Sequence, residues 1–217
     1  MKIVAFGDSL TVGENAFPFS DEASAAYPNF LQRIAEDYIR NNQSGLEVEI
    51  LNRGLNGDLT SGMVERFSTD VGDENPDYVI ILGGTNDIGW GLGSLAIIHN
   101  LTNIYDVSLK MLIGPVACAV PSILGLDWLI PPRLDLNRKI QAEAAKRRIP
   151  FLDLFSLTAD PKNNRLLEEY SADGLHLNSR GYKRVGEYAF NEWLKILLQS
   201  RVPLEKARKT RSQKLEK

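Results

Sequence analysis

The sequence predicts an α/β fold built on a parallel sheet, and three observations carry that expectation. Apolar strand-like runs alternate with segments of helical period along most of the chain, the signature of successive βαβ units. One of those runs, residues 78–82 (Tyr-Val-Ile-Ile-Leu), is continuously apolar, as a strand covered on both faces must be. No internal repeat or low-complexity linker interrupts the alternation, so residues 1–200 are expected to form one domain.

Taken in order, residues 2–6 read as the first strand. Residues 27–42 place Phe30, Leu31, Ile34 and Tyr38 near helical spacing and run out close to Gly45, a natural helix stop. Residues 46–51 alternate as a second strand, 60–71 read as a helix, and Pro76-Asp77 introduces the central strand 78–82. A helix over 95–109 precedes a fourth strand at 111–113 (Met-Leu-Ile), and a charged amphipathic helix over 133–148 precedes a fifth at 149–154. The closing helix, 179–198, carries Tyr182, Val185, Tyr188, Ala189, Trp193 and Ile196 on a periodic face. Two loop-like stretches, 14–26 and 116–132, follow the carboxyl ends of strands, where open α/β sheets bind ligands, and are candidate pocket walls. The apolar residues Phe17, Phe19, Leu124, Leu126, Trp128, Leu129 and Ile130 in these stretches either line such a pocket or plug the core.

Composition narrows the function classes. With 43% hydrophobic and 24% charged residues in 217, the chain is neither disordered nor fibrous, and no run approaches the roughly 18 apolar residues of a membrane span. A lone cysteine, Cys118, forms no intramolecular disulfide and belongs to no Cys/His cluster able to hold zinc; it reads as a small buried hydrophobe. A net charge of −3 gives no reason to expect a nucleic-acid partner. Residues 201–217 hold seven Lys/Arg against two Asp/Glu and read as a solvated basic tail. The apolar run after Met1 and Lys2 is too short for an export signal, so a cytoplasmic location is expected; oligomeric state is not readable.

If the strands are parallel, their carboxyl ends share one edge, and four polar loops meet there: Gly7-Asp8-Ser9-Leu10, Asn52-Arg53-Gly54-Leu55-Asn56-Gly57, Gly83-Gly84-Thr85-Asn86-Asp87 and Asp173-Gly174-Leu175-His176. A serine hydroxyl is a weak nucleophile unless a base lies within hydrogen-bond reach and is itself oriented by a third group. His176 is the natural base for Ser9, and Asp173, three residues earlier, is close enough in a turn to hold the other imidazole nitrogen. The N–H groups of Ser9 and Gly57 and the side-chain amide of Asn86 are candidate donors to the oxyanion of a tetrahedral intermediate.

These four blocks, in this order, resemble the GDSL, or SGNH, family of serine esterases and lipases. The resemblance implies a flavodoxin-like three-layer α/β/α sandwich on a five-stranded parallel sheet. It further implies Ser9 as nucleophile, Asp173 and His176 as the rest of a triad, and Ser9, Gly57 and Asn86 as the oxyanion hole. Hydrolysis of small-molecule carboxylic esters or thioesters without metal or organic cofactor is the activity it implies. No Gly-x-Ser-x-Gly elbow occurs, which argues against the ordinary α/β-hydrolase class.

Plainer roles compete at several positions. Ser9 also suits a helix cap. Asp8 reads as a structural hydrogen-bonder beneath the serine turn, Asp58 and Asp87 as exposed turn formers, Asp153 as a loop anchor and His99 as a structural residue in its helix. Two other function classes stay open at this point. Asp8, Asp58, Asn86, Asp87 and His176 around one rim suggest a metal-assisted phosphoesterase, although such sites generally draw on more histidines than this chain has. A non-catalytic carbohydrate- or protein-binding module on the same scaffold is the other.

Overall fold

The computed structural model describes residues 1–13, 26–42 and 45–200. Its centre is a sheet of five parallel strands in the order β2-β1-β3-β4-β5, where β1 is Lys2–Gly7, β2 Glu49–Gly54, β3 Tyr78–Leu82, β4 Gly114–Cys118 and β5 Phe151–Leu152. The chain runs from β1 outward to β2, then returns to the other side of β1 to lay down β3. The carboxyl ends of β1 and β3 therefore form the topological switch point, where the flanking loops diverge and leave a crevice.

Helices cover both faces. One layer holds α2 (Tyr27–Asn41) against α8 (Ser179–Ala189), and the other holds α3 (Thr60–Phe67), α5 (Ser94–Lys110) and α6 (Ile130–Arg147) side by side. Strand alternation feeds both: Phe6 of β1 meets Phe67 of α3 edge-on at 5.6 Å, while Tyr78 of β3 meets Trp193, beyond α8, at 5.5 Å. Ile3, Val4, Ala5 and Phe6 are wholly buried, which is why the innermost strands read as unbroken apolar runs. Three short helices escape prediction because they span little more than a turn: α1 (Ser9–Val12), α4 (Thr85–Gly89) and α7 (Leu154–Thr158).

Several boundaries correct the sequence reading. The fourth strand is Gly114–Cys118, not 111–113. Met111, Leu112 and Ile113 instead close α5: Leu112 takes a left-handed φ of 61°, its N–H donates to Leu109 O, and Ile113 N–H reaches back to Ser108 O. Leu112 is 90% exposed, so the triplet is apolar without being buried as a strand. The second strand lies three residues later than predicted, and the fifth shrinks to two residues because Leu154 already opens α7. Helix α6 begins at Ile130, with Pro131 and Pro132 in its first turn where missing N–H groups cost nothing, so the 116–132 loop is shorter than expected at both ends.

Candidate active site

The serine turn is fastened from two sides. Asp8 leaves β1 in an extended conformation and caps α1, its Oδ1 accepting the Leu10 N–H at 3.0 Å, which places Ser9 at the first helical position above the switch point. From β2, Asn52 donates Nδ2–H to Thr11 O at 2.8 Å and accepts the Gly54 N–H on Oδ1 at 3.0 Å, so the short helix is stapled to the neighbouring strand. Asp8 is fully buried, as the structural reading anticipated, but only half satisfied: its Oδ2 has no partner, and burial pushes the carboxyl up to about 7.

The histidine arrives on a turn that largely builds itself. Ala172 N–H donates to His176 O, a bridge joins Ser171 to Leu177, and Gly174 adopts a φ of 89° that L side chains avoid. A Cβ at Gly174 would stand 2.6 Å from Leu124 O, the residue whose N–H donates to Gly174 O at 2.8 Å. Within the turn Asp173 Oδ1 accepts the N–H groups of Leu175 and His176 at 2.9 and 2.7 Å, and Oδ2 lies 2.8 Å from His176 Nδ1. Burial pulls the Asp173 carboxyl upward, but these bonds from His176 and Leu175 win and hold it below the usual carboxylate range. An ionised carboxylate only accepts, so Nδ1 carries the proton and Nε2 is left to accept. Nε2 stands 3.0 Å from Ser9 Oγ, across 167 residues of chain.

The remaining two loops form a wall of interlocked polar groups. Asn86, in α4, donates one Nδ2 hydrogen to Asp58 O at 2.9 Å, which leaves its second N–H free to point elsewhere. Gly57, with φ at 74°, sits exposed at the tip of the loop that leads to Asp58. Behind them Asp87 accepts the Thr60 N–H and, at 2.6 Å, the Thr60 hydroxyl, while Asn100 donates to that hydroxyl at 3.0 Å. Asp58 Oδ2 receives Arg66 Nε at 2.7 Å; burial raises the Asp58 carboxyl, partly offset by that arginine. Arg66 also donates to Asp70 and to the carbonyls of Arg53 and Gly7, and stacks over the Phe6 ring at 4.2 Å. Asp58 and Asp87 are thus not exposed turn formers, as predicted, but buried acceptors that tie the third loop to α3.

Other sequence candidates fall outside this arrangement. His99 lies on the exposed side of α5, its carbonyl accepting the Thr102 hydroxyl. Asp153 caps α7 through the Ser156 N–H and hydroxyl. Cys118 is buried in β4, and burial pushes its thiol well above the ordinary range. The carboxylates of the phosphoesterase reading do not converge: Asp8 turns to Leu10, Asp58 to Arg66 and Asp87 to Thr60, and among the described residues no three His, Cys, Asp or Glu form a metal-binding group. Among the same residues no helix is long and apolar enough to cross a membrane.

A cleft of about 350 Å³ borders the site, lined by Thr85 and Asn86, by Leu175 of the histidine turn, and by residues of the 116–132 stretch. That stretch divides its labour: Leu124 and Ile130 pack with the core, Ile123 and Leu129 are buried at the cleft wall, and Leu126 and Trp128 stand out at its rim. Phe17, Phe19 and most of the 14–26 wall lie outside the described residues. Sequence reasoning missed three lining residues, Gly89, Trp90 and Arg133. Arg133 had a legible signal: it occupies the buried stripe of α6 with Ile130, Leu136, Asn137 and Ile140, an arginine on the wrong face of an amphipathic helix.

A hydroxyl bonded to an imidazole, the imidazole bonded to a carboxylate, and an amide N–H with a free hydrogen nearby form a set suited to acyl transfer. Solved structures of known proteins share this fold. Among solved structures, one of a lipase/acylhydrolase from Enterococcus faecalis superposes with a TM-score of 0.66 at 26% identity, covering 93% of this chain and 95% of that one. A member of the lipolytic protein G-D-S-L family from Veillonella parvula gives a TM-score of 0.72 at 20% identity, covering 89% and 98%. A mutant of an acetyl-xylooligosaccharide esterase from Geobacillus Stearmophilus gives 0.72 at 17%, covering 88% and 93%. Among curated proteins, an uncharacterized lipoprotein of Bacillus subtilis is 39% identical over 85 residues, a match that spans 39% of this chain and 31% of that protein. The family model of the GDSL-like lipases/acylhydrolases matches residues 5–184, so the chain belongs to the GDSL-like Lipase/Acylhydrolase family.

Proposed function

We propose that the protein hydrolyses small-molecule carboxylic or thio esters through an acyl-enzyme formed on Ser9. The observation that carries this reading is the pair of hydrogen bonds linking Ser9 Oγ to His176 Nε2 and His176 Nδ1 to Asp173, at 3.0 and 2.8 Å. In the first half-reaction Ser9 Oγ attacks the ester carbon while its proton passes to His176 Nε2. Asp173, kept ionised by its hydrogen bonds, stabilises the imidazolium that results. The carbonyl oxygen gains negative charge and accepts the Ser9 and Gly57 N–H groups and the spare Nδ2 hydrogen of Asn86, whose other hydrogen is anchored on Asp58 O. Collapse expels the alcohol or thiol with the proton from His176. Water then attacks the acyl-enzyme, giving its proton to Nε2, and the acid leaves as Ser9 recovers its hydrogen.

The test is direct. Incubation with a fluorophosphonate adds one phosphonyl group, located on Ser9 by peptide mass spectrometry, and p-nitrophenyl butyrate releases nitrophenol. Ser9→Ala abolishes labelling and lowers kcat by about 10⁴-fold or more. Full turnover by Ser9→Ala sinks the mechanism. Activity that survives a strong chelator distinguishes this reading from the metal-assisted one.

A further inference from the structure

Arg133 is the largest fully enclosed side chain among the described residues, with 1% of its surface exposed, and it shares the site's cleft with Asn86, Thr85 and Leu175. A guanidinium has five donors, and withdrawing it from water is costly unless they are used. Here one is: Nη1 donates to Leu129 O at a long 3.3 Å, while Nε is enclosed without a partner. No carboxylate of the described residues lies within ion-pair distance of Arg133. The carboxyl whose field reaches it, Asp8, is raised by burial to about 7 and makes no ion pair with it. The hydroxyl of Thr85, on the same cleft, is likewise buried without a partner. Unused polar capacity at Arg133 and Thr85 therefore lines a cleft that also holds the Asn86 amide and is otherwise walled by Ile123, Leu126, Leu129, Trp90 and Trp128.

From this juxtaposition we infer that Arg133 determines specificity, selecting esters that carry a carboxylate on the part of the substrate seated in this cleft. A planar carboxylate matches the guanidinium fork and would use the donors the protein leaves idle. The apolar walls suit a short hydrocarbon link between that carboxylate and the scissile ester, so half-esters of short dicarboxylic acids are the simplest substrate class. Arg133 stays cationic at neutral pH, because burial lowers its ordinary value only to about 10. The inference rests on the reading of Ser9 as nucleophile, and the experiment separates the two.

The full chain is assayed with p-nitrophenyl hydrogen glutarate and with p-nitrophenyl pentanoate, which differ in a terminal carboxylate against a methyl group. The charged ester is expected to have the higher kcat/KM by about tenfold or more, and Arg133→Gln to lower that ratio by about 10- to 100-fold, with Arg133→Lys in between. A ratio at or below one, with pentanoate hydrolysed and Ser9 labelled, overturns the role of Arg133 and leaves the Ser9 reading intact. A second measurement does not depend on the folding of Arg133→Gln and uses Ser9→Ala: methyl hydrogen glutarate should raise its Tm and dimethyl glutarate should not. Equal shifts, or none, overturn the inference whatever the activity. Failure of both esters to react, with no labelling of Ser9, instead overturns the reading beneath it.

Discussion

Arg66 and Arg133 are both drawn into the interior beside the same rim, and their surroundings treat them oppositely. Arg66 spends its donors on Asp58, Asp70 and the carbonyls of Arg53 and Gly7, and lays its plane on Phe6. It joins the ends of β1 and β2 to α3, and through Asp58 it supports the backbone carbonyl that holds Asn86. Arg133 is more deeply enclosed yet makes one long hydrogen bond. The contrast teaches how to tell scaffold from binding surface: an enclosed charge with four of its five donors answered by the protein, as at Arg66, holds the fold together, while one with a single long hydrogen bond beside a cleft is available to something that enters.

Removing Arg66 should produce the largest effect. Arg66→Ala strands the buried Asp58 carboxylate and should cost about 3 kcal/mol of stability, read from urea unfolding. An unchanged midpoint would break the comparison at its firmer end. Next, Asn86→Ala asks whether the interlocked wall serves the chemistry: kcat should fall by about 10²- to 10³-fold while Tm moves little, because the side chain is held by a single carbonyl. Arg133→Met sharpens the contrast from the other side. Without ligand its stability should change by less than about 1 kcal/mol, or rise, since an unpaired buried charge gives way to an apolar side chain of similar length. A loss as large as that of Arg66→Ala would show that Arg133 is scaffold after all.

The subtlest effect is a pH dependence at Asp8, whose buried carboxyl feels the charges of His176, Asp58 and Asp87 and acts in turn on Arg133. Its carboxyl is raised by burial from the ordinary 3.8 to about 7, so the folded state binds the proton more tightly than the unfolded chain. The stability this contributes is full below about 4 and is lost as pH rises through about 7. Asp8→Asn keeps the cap to Leu10 and removes the titration. Wild type should therefore lose stability relative to Asp8→Asn between about pH 5 and 8, measured by paired unfolding curves, and parallel curves would refute it.

Much of this was legible in the linear chain, for reasons that differ by residue. Residues 78–82 announced a central strand because burial on both faces tolerates no polar side chain, and α2 and α8 announced themselves by period. The misplacement of β4 shows the limit of that signal: Met111, Leu112 and Ile113 are apolar, but a left-handed Leu112 turns the chain and exposes two of them. Asp173 and His176 could be paired on paper because three residues span one turn. The partners of Asp58 and Asp87 could not, since Arg66 and Thr60 reach them only once α3 packs under the third loop.

Local chemistry in the sequence alone determined most of the longer elements, the parallel architecture and the candidate reactive groups, because period, turn residues and side-chain reactivity are properties of short stretches. Tertiary structure alone decided which donors are spent and which are free. Satisfaction of a buried polar group depends on neighbours brought from distant parts of the chain, and no reading of Arg66 and Arg133 as letters distinguishes the one that is answered from the one that is not.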